Sequence, residues 1–295
     1  MTSASRSQPS HPDPGHADAG PSHPGAARQA ARFAEFRDLH RPGAPLFLPN
    51  AWDHASASAL VERGFSAVAT TSLGVAVSAG KPDGVGGTRD ETLRLGAGIA
   101  RLPVPVSVDI EGGFGERPED IAALGVELVR AGVAGVNFED GRADGTLRTV
   151  ERHAALVAAL KEAAPTLFVN ARADTYLTAG AAASLAETTE RIRAYRAAGA
   201  DGVFVPGLQH EATIETLVAA TDAPLNILFT PTGPTCARLA ELGVGRISAG
   251  GLLFRTAILS AVDLAWAIAQ GTDPGPGRAL TQAQALALTE VYRRD

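Results

Sequence analysis

The stretch Pro105-Val-Ser-Val-Asp-Ile-Glu-Gly-Gly-Phe-Gly115 indicates both the fold and the place of the functional site. A short apolar run ends here in two carboxylates, Asp109 and Glu111, and then in a glycine-rich turn. Side chains of a β-strand alternate between its two faces, so Ser107, Asp109 and Glu111 are predicted to share one face. Two acids on one face are costly to bury unless something neutralises them, and a divalent cation is the obvious candidate. The stretch therefore predicts a buried strand that ends at a metal site.

Short β-branched runs alternate with alanine-rich, charged stretches from Arg32 onward, a pattern typical of βα units and a parallel sheet. Strands are predicted at Leu46–Pro49, Ala67–Thr71, Val104–Ile110, Gly135–Phe138, Leu167–Asn170, Gly202–Val205, Leu225–Phe229 and Arg246–Ser248. Helices are predicted near 54–63, 89–101, 118–131, 149–163, 184–198, 210–220, 235–242 and 252–270. Eight such units in about 250 residues predict an α/β fold of the (β/α)8 TIM barrel type. Their even spacing favours the barrel over an open doubly wound sheet.

The first part of the chain has a different composition. Residues 1–28 are rich in Ser, Pro, Gly, His and Ala, with no aliphatic side chain larger than alanine after Met1. Such a segment cannot bury enough apolar surface to offset its ordering entropy, so a disordered tail is predicted there. Residues 29–295 are predicted to form a single barrel domain.

The overall composition is that of an ordinary soluble globular protein, with 45% hydrophobic residues among 295. The net charge of −6 offers no basic surface, so nucleic acid is not an expected partner. No apolar run is expected to reach the roughly 20 residues that cross a bilayer, so no membrane association is expected. The single cysteine fits a reducing compartment. The expected location is therefore the cytoplasm.

The active site of a (β/α)8 barrel lies at the carboxyl ends of its strands. The polar residues predicted there include four acids, Asp83, Asp109, Glu111 and Glu139. A set of oxygen ligands favours Mg²⁺ or Mn²⁺ over zinc, which prefers histidine and cysteine. Because Mg²⁺ takes only one or two direct protein ligands, some of these acids are expected to hold its waters. Arg172 is expected to bind a substrate carboxylate or phosphonate through its planar guanidinium.

Seven phrases occur in a specific order: Leu48-Pro-Asn-Ala-Trp-Asp53, Thr71-Ser-Leu73, Gly80-Lys-Pro-Asp-Gly84, Val108-Asp-Ile-Glu-Gly-Gly-Phe-Gly115, Asn137-Phe-Glu-Asp-Gly141, Asn170-Ala-Arg-Ala-Asp174 and Gly199-Ala-Asp-Gly-Val-Phe204. Over residues 32–270 the chain thereby resembles the phosphoenolpyruvate mutase/isocitrate lyase superfamily. The resemblance implies a (β/α)8 barrel whose last helix is swapped between subunits, with dimers that pair into tetramers. It also implies Mg²⁺ that holds an α-oxy-carboxylate, so a small-molecule carboxylate substrate and a homo-oligomer, dimer or tetramer, are expected.

The same resemblance gives roles to individual residues. It matches a metal-binding pair with further acids around it, namely Asp109 and Glu111 with Asp83 and Glu139. Many members have two aspartates where this chain has Asp109 and Glu111. The substrate-binding positions are Thr71, Ser72, Leu73, Arg172 and Asn226. Arg172 and Glu139 are the expected catalytic residues.

The loop after the fourth predicted strand departs from the family pattern. The lyases carry a Lys-Lys-Cys-Gly-His loop whose cysteine is the general acid, and the mutases carry a lysine and an asparagine there. Here the loop is Gly141-Arg-Ala-Asp-Gly-Thr-Leu147. Pro206 stands where lyases have a glutamate and mutases a histidine. Asp144 and Asp174 are the remaining candidates for the general acid.

The expected function is Mg²⁺-dependent cleavage of a C–C bond in a small 2-oxo or 2-hydroxy acid through an enolate, similar to 2-methylisocitrate lyase. One alternative is P–C chemistry, as in a phosphoenolpyruvate phosphonomutase or phosphonopyruvate hydrolase, which stabilises the same enolate. Another is a non-catalytic protein that binds metal and carboxylates, for which the altered loop is the main support.

Overall fold

The computed structural model describes residues 24–272 and 279–293. Its strands are β1 Leu46–Leu48, β2 Asn50–Ala51, β3 Val68–Thr70, β4 Val106–Asp109, β5 Gly135–Glu139, β6 Phe168–Arg172, β7 Gly202–Phe204, β8 Leu225–Leu228 and β9 Arg246–Ser248. They form one parallel sheet in the order β1-β9-β8-β7-β6-β5-β4-β3-β2. Pro49 has no N–H for a strand ladder, and it separates β1, which covers most of the first predicted strand, from β2, which lies just beyond that strand. Because β1 pairs with β9 and β2 pairs with β3, the first strand connects both ends of the sheet. The predicted α/β barrel is confirmed.

Helices surround this sheet at α1 Pro24–Asp38, α2 His54–Glu62, α3 Ser72–Ser78, α4 Arg89–Ile99, α5 Pro118–Arg130, α6 Val150–Ala163, α7 Thr175–Ala179, α8 Leu185–Ala197, α9 Glu211–Ala219, α10 Cys236–Glu241, α11 Leu252–Ala269 and α12 Gln282–Ala287. Short 3₁₀ helices occupy Gly180–Ala182 and Glu290–Arg293. All of the predicted helices are present. The additional elements are α1, α3, α7, α12 and the two 3₁₀ helices, most of them too short for a periodic apolar pattern.

Helix α1 closes the amino-terminal end of the barrel. Phe36 is fully buried and packs edge-on against Phe168 of β6, with ring centroids 5.3 Å apart. Gln29 Nε2 donates hydrogen bonds to two backbone carbonyls, those of Val133 and Thr166. The helix begins at Pro24, so residues 24–28 of the predicted disordered tail are helical. Residues 1–23 of that tail lie outside the described residues.

The interior of the barrel is polar at mid-height. Inward-facing residues there include Ser107, Asn137, Asn170, Asn226 and Arg246, all buried. Asn170 Nδ2 and Arg246 Nη2 donate hydrogen bonds to the same Asn137 Oδ1, at 2.9 and 3.0 Å. Barrel interiors are usually filled by branched aliphatic side chains. This middle polar layer therefore departs from the usual interior, and it lies between the apolar floor and the acidic mouth.

Helix α11 is an apolar helix that lies largely outside the core. It has 18 residues and a mean hydropathy of 1.7, with 6% of it buried. By length and composition alone this helix is able to cross a membrane, so the expectation that no apolar run approaches that length was wrong. One such helix is weak evidence for a membrane. Leu259 and Trp266 are 61% and 67% exposed, which leaves a surface that a swapped helix would bury against another subunit.

Candidate active site

The two acids after β4 are held by a strained turn. Glu111 has a φ of 49°, in the left-handed region that non-glycine residues rarely adopt. Its backbone N–H donates to Asp109 Oδ1 at 3.1 Å, and its carbonyl accepts from the N–H of Glu139 at 3.0 Å. The strand thus ends at Asp109, and alternation along the strand does not extend to Glu111 as predicted. The turn instead holds both acids at the mouth.

Both carboxylate oxygens of Glu111 are engaged by the loop that follows α3. Oε2 accepts from the N–H of Gly86 at 2.9 Å, and Oε1 accepts from Thr88 Oγ1 at 2.5 Å. The side chain is buried, with 2% of the residue exposed. Glu111 therefore fixes the loop that carries Asp83, and it offers no free oxygen in this arrangement.

Arg172, at the end of β6, is surrounded by acids. Its Nη1 lies 2.5 Å from Glu139 Oε2, and its Nε and Nη2 donate to Asp174 at 2.5 and 3.0 Å. Burial lowers the pKa of Arg172, but the Asp174 and Glu139 carboxylates more than offset this and raise it overall. A planar guanidinium matches a carboxylate in this two-point geometry. A substrate carboxylate has to share Arg172 with these two protein partners.

The cluster carries buried negative charge in excess of Arg172. Burial raises the pKa of Asp109 to about 6, although Arg172 opposes the increase. Burial also raises the pKa of Glu139 to about 8, again against the effect of Arg172. Neighbouring acids raise both pKa values further. Asp83 and Glu111 act on Asp109, and Asp174 acts on Glu139. A site with this balance of charge is stabilised by an added cation.

The acids were tested for their fit to a divalent cation. Among residues 24–272 and 279–293, no group of three or more His, Cys, Asp or Glu is arranged to hold a metal directly. Mg²⁺ needs only one or two carboxylates, because water completes its octahedral shell. Within the described residues, Asp109 accepts a hydrogen bond at Oδ1 and none at Oδ2. Its Oδ2 is therefore available to a metal ion. The residues fit Mg²⁺ bound directly by Asp109, with the other acids around its waters.

Two cavities open at the mouth of the barrel. The first, of about 380 Å³, is lined by Glu111 and Arg148, and the second, of about 280 Å³, by Asp83, Glu139 and Asp174. Segments 84–85 and 141–143 border both cavities. Arg142 therefore borders both spaces. Its guanidinium makes no hydrogen bond or ion pair within the described residues, in contrast to Arg148, which donates to Glu116 and to the Glu139 carbonyl.

The two candidates for the general acid are both engaged elsewhere. Asp144 lies exposed in a turn, where its Oδ1 accepts from the N–H and Oγ1 of Thr146 at 3.0 and 2.5 Å. These hydrogen bonds lower the pKa of Asp144, which disfavours it as a proton donor. Asp174 is held in its contact with Arg172. Glu139, with its raised pKa, is better suited to carry a proton.

The remaining predicted substrate residues lie beside or below the cavities. Thr71 is buried at the start of α3, where its N–H donates to the carbonyl of Ala51, and Ser72 and Leu73 form the first turn of the helix. Asn226 lies in the middle polar layer, where its Nδ2 donates to Ser248 Oγ at 3.3 Å. The linings of the two cavities include none of these residues among the described ones. The structure therefore gathers the predicted acids and Arg172, but not the whole predicted set.

Two buried residues near the site were missed by sequence reasoning. Asp140 is fully buried and accepts hydrogen bonds from Tyr195 Oη at 2.6 Å, Arg191 Nη1 at 3.0 Å and the N–H of Asp174 at 2.9 Å. It therefore fixes the backbone that presents Asp174 to Arg172. The second missed residue is Arg246. It lies two residues before Ser248, which faces the interior, so strand alternation could have predicted that Arg246 faces the interior as well.

The sequence matches the family model described as phosphoenolpyruvate phosphomutase over residues 36–269. The chain belongs to this family, within the isocitrate lyase/phosphoenolpyruvate mutase superfamily that the resemblance predicted. Over 236 residues it is 42% identical to the uncharacterized protein Rv1998c of Mycobacterium tuberculosis, covering 80% of this chain and 89% of that protein.

A second relative is a 2-methylisocitrate lyase of Halalkalibacterium halodurans, 32% identical over 209 residues and 68% of each chain. A crystal structure of a Burkholderia cenocepacia J2315 protein matches the fold with a TM-score of 0.77 at 41% identity. It covers 82% of this chain and 99% of that chain. The relatives support an enzyme of this superfamily that acts on a small carboxylate.

Proposed function

We propose that this protein is a Mg²⁺-dependent lyase that cleaves a C–C bond in a small 2-oxo or 2-hydroxy carboxylic acid. The observation that carries the proposal is the buried acidic cluster at the barrel mouth, where Asp109 has a free oxygen beside Arg172, Glu139 and Asp83. The excess negative charge of this cluster favours binding of a cation, and the bound cation would in turn attract an anionic substrate. Mn²⁺ has the same ligand preference and is the alternative metal.

The acids have different roles in this proposal. Asp109 would bind the metal directly, and Asp83 and Glu139 would hold its waters. Glu111 belongs to the predicted metal group but acts through the loop, since Gly86 and Thr88 occupy its carboxylate. Bound Mg²⁺ supplies positive charge that stabilises a developing enolate.

The remaining residues orient the substrate and move the proton. Arg172 shares its guanidinium with the substrate carboxylate. Thr71, Ser72 and Leu73 are assigned to the same end of the substrate on the family resemblance alone, since they line neither cavity. In a 2-oxo acid such as oxaloacetate, the terminal carboxylate leaves as CO₂ and the electron pair of the broken C–C bond remains on the pyruvate fragment as an enolate. In a 2-hydroxy acid, the ionised form of Glu139 takes the hydroxyl proton, the C–O bond becomes the carbonyl of the 2-oxo product, and the electron pair remains on the other fragment as an enolate. Glu139 holds a proton near neutral pH because burial raises its pKa, and it transfers that proton to the enolate carbon.

P–C chemistry is the alternative that a specific observation favours, because the matching family model is described as phosphoenolpyruvate phosphomutase. The pyruvate enolate would form when the P–C bond of phosphonopyruvate breaks and its phosphoryl group passes to water, as in a hydrolase, or to the enolate oxygen, as in a mutase. The relative named as 2-methylisocitrate lyase supports the C–C alternative. Loss of turnover, with metal and carboxylate binding retained, is the third possibility, supported by the absence of Cys, Lys and His from 141–147.

We further propose a homo-oligomer in the cytoplasm, in which the exposed apolar side chains of α11 pack against a second copy. Exposure of Ile258, Leu259, Val262 and Trp266 supports this packing. Burial of such side chains would contribute on the order of 25 cal/mol per Å² of apolar surface.

The test is a Mg²⁺-dependent assay of pyruvate release from oxaloacetate, methylisocitrate, dimethylmalate and phosphonopyruvate. Release from any of the three carbon acids supports the lyase. Pyruvate release from phosphonopyruvate alone, or conversion of phosphonopyruvate to phosphoenolpyruvate without pyruvate release, favours P–C chemistry. If none of the four compounds reacts but oxalate still binds in a Mg²⁺-dependent way, the protein acts on another substrate or is a binding protein.

A further inference from the structure

Arg246 lies wholly inside the barrel, in the middle polar layer beneath the acidic cluster. From the first residue of β9 it reaches across to β5, where its Nη2 donates to Asn137 Oδ1 at 3.0 Å. Its Nε and Nη1 are buried without a partner among the described residues, as are Ser107 Oγ and Asn226 Oδ1 in the same layer. A buried guanidinium with a single hydrogen bond is costly.

The titratable groups that interact with the charge of Arg246 lie above and below it in the barrel. Burial lowers the pKa of Arg246 to about 9, and the negative charge of Asp109 opposes the decrease. On the floor of the barrel, burial and then the charge of Arg246 lower the pKa of His40 to about 3, so His40 is neutral. Asn137, which accepts the hydrogen bond from Arg246, is the residue of β5 paired with Asp109 of β4. This register places the positive charge of Arg246 beneath Asp109.

We infer that Arg246 is a positioning residue, whose buried charge beneath Asp109 weakens cation binding and strengthens anion binding at the barrel mouth. This inference rests on the proposed function, because it takes Asp109 as the Mg²⁺ ligand. Charges inside a protein are screened much less than charges on its surface. Even at the dielectric constant of water, about 80, a unit charge about 7 Å from a divalent ion changes the affinity for that ion by about tenfold, and the effect is larger in the less polar interior of a protein.

A structural role for Arg246 makes a different prediction. If Arg246 only fills the barrel, its replacement loosens the strands that carry the site, and the affinities for cation and anion fall together. If its charge acts on the site, removal of the charge moves the two affinities in opposite directions. Unpaired buried charges are often replaced by apolar side chains without loss of stability, so Arg246→Met is expected to fold.

The experiment is calorimetric titration of the full-length protein with Mg²⁺ alone, and then with oxalate at saturating Mg²⁺. Both titrations are made at about pH 7.5, which lies above the pKa of Asp109, about 6, and below that of Arg246, about 9, so that both groups are charged. For Arg246→Met we expect Mg²⁺ to bind about tenfold more tightly and oxalate about tenfold more weakly than in the wild type. Arg246→Gln, which keeps a donor for Asn137, should behave in the same way. Arg130→Met, at an exposed position in the last turn of α5, should leave both affinities unchanged.

A parallel loss of both affinities, or no change in either, would overturn the inference while leaving the proposed function in place. Failure of both Arg246 variants to fold would also overturn it in favour of a purely structural role. Failure of the wild type to bind Mg²⁺ would contradict the proposed function, and with it the role of Arg246.

Discussion

Arg172 and Asp174 form a two-point ion pair between residues two apart in the chain, with donor–acceptor distances of 2.5 and 3.0 Å. The pair is almost buried, and the N–H of Asp174 is in turn fixed by Asp140. The arginine expected to bind substrate is thus already oriented by the protein. The Cβ of any side chain at residue 141 would lie 2.5 Å from Asp174 Oδ2, so Gly141 leaves room for this arrangement.

Removal of Asp174 is expected to destabilise the protein. Asp174→Ala leaves the buried Arg172 with Glu139 as its ion-pair partner, and breaking a buried pair typically costs about 3 kcal/mol. Arg196 and Asp222 make the same two-point contact on the surface, so Asp222→Ala is the matched control and should leave the melting temperature almost unchanged. Equal decreases in melting temperature for the two variants would contradict this account.

Loss of a Glu111 oxygen is expected to free the loop that carries Asp83. Glu111→Gln places an amide N–H₂ opposite one of two donors, Gly86 N–H or Thr88 Oγ1. An unsatisfied buried group costs about 1–3 kcal/mol. Tryptic cleavage after Arg89 should therefore become faster than in the wild type, whereas the Lys81–Pro82 bond resists trypsin in both. Glu116→Gln, at a mostly exposed carboxylate, is the control, and an unchanged cleavage rate in Glu111→Gln would refute the role of Glu111.

Stabilisation by Mg²⁺ is expected to increase with pH. Burial raises the pKa of Asp109 to about 6 and that of Glu139 to about 8, from 3.8 and 4.5. Both acids thus hold protons more tightly when folded, and the metal-free protein loses stability as the pH rises from about 4 through about 8. Mg²⁺ competes with these protons. The rise in melting temperature that Mg²⁺ causes in the wild type should therefore become larger between pH 6 and 8. In Asp109→Asn, Mg²⁺ should raise the melting temperature little at any of these pH values. A Mg²⁺ effect in the wild type that stays constant or becomes smaller with pH would be evidence against the metal site.

Arg142 is expected to contribute to substrate binding. Its side chain borders both cavities and makes no hydrogen bond or ion pair within the described residues, although Glu116 and Asp144 lie near enough to feel its charge, so an anionic substrate can reach it. Arg142→Ala should raise KM about tenfold and leave kcat within about twofold, as for a group that binds ground and transition states alike. Arg130→Ala serves as the control for net charge. A decrease in kcat with an unchanged KM would require a different role for Arg142.

Oligomerisation is expected to depend on α11. Leu259→Glu places a charge on its exposed apolar surface, where a second copy is proposed to pack. Light scattering should then show a smaller species than the wild type, with helix content unchanged by circular dichroism. A monomeric wild type, or an unchanged mass in the variant, would contradict the proposed packing.

The strand ends could be predicted from the sequence because each short apolar run ends in polar residues before a helix. This pattern of strand ends predicts that Asp109, Glu139 and Arg172 lie together at the mouth of the barrel, as they do in the structure. The left-handed conformation of Glu111 could not be predicted, because tertiary contacts with Gly86, Thr88 and Glu139 help to hold it. The occupation of Arg172 by two acids likewise depends on side-chain geometry that spacing alone does not give.

The central claim is that Asp109 and a divalent cation together hold an enolate-like anion. Oxalate has the shape and charge of such an anion, so its calorimetric titration with and without Mg²⁺ tests the claim most directly. We expect oxalate to bind the wild type only when Mg²⁺ is present, and Asp109→Asn to lose this binding while remaining folded. Equal oxalate binding without Mg²⁺, or full binding by Asp109→Asn, would contradict the account.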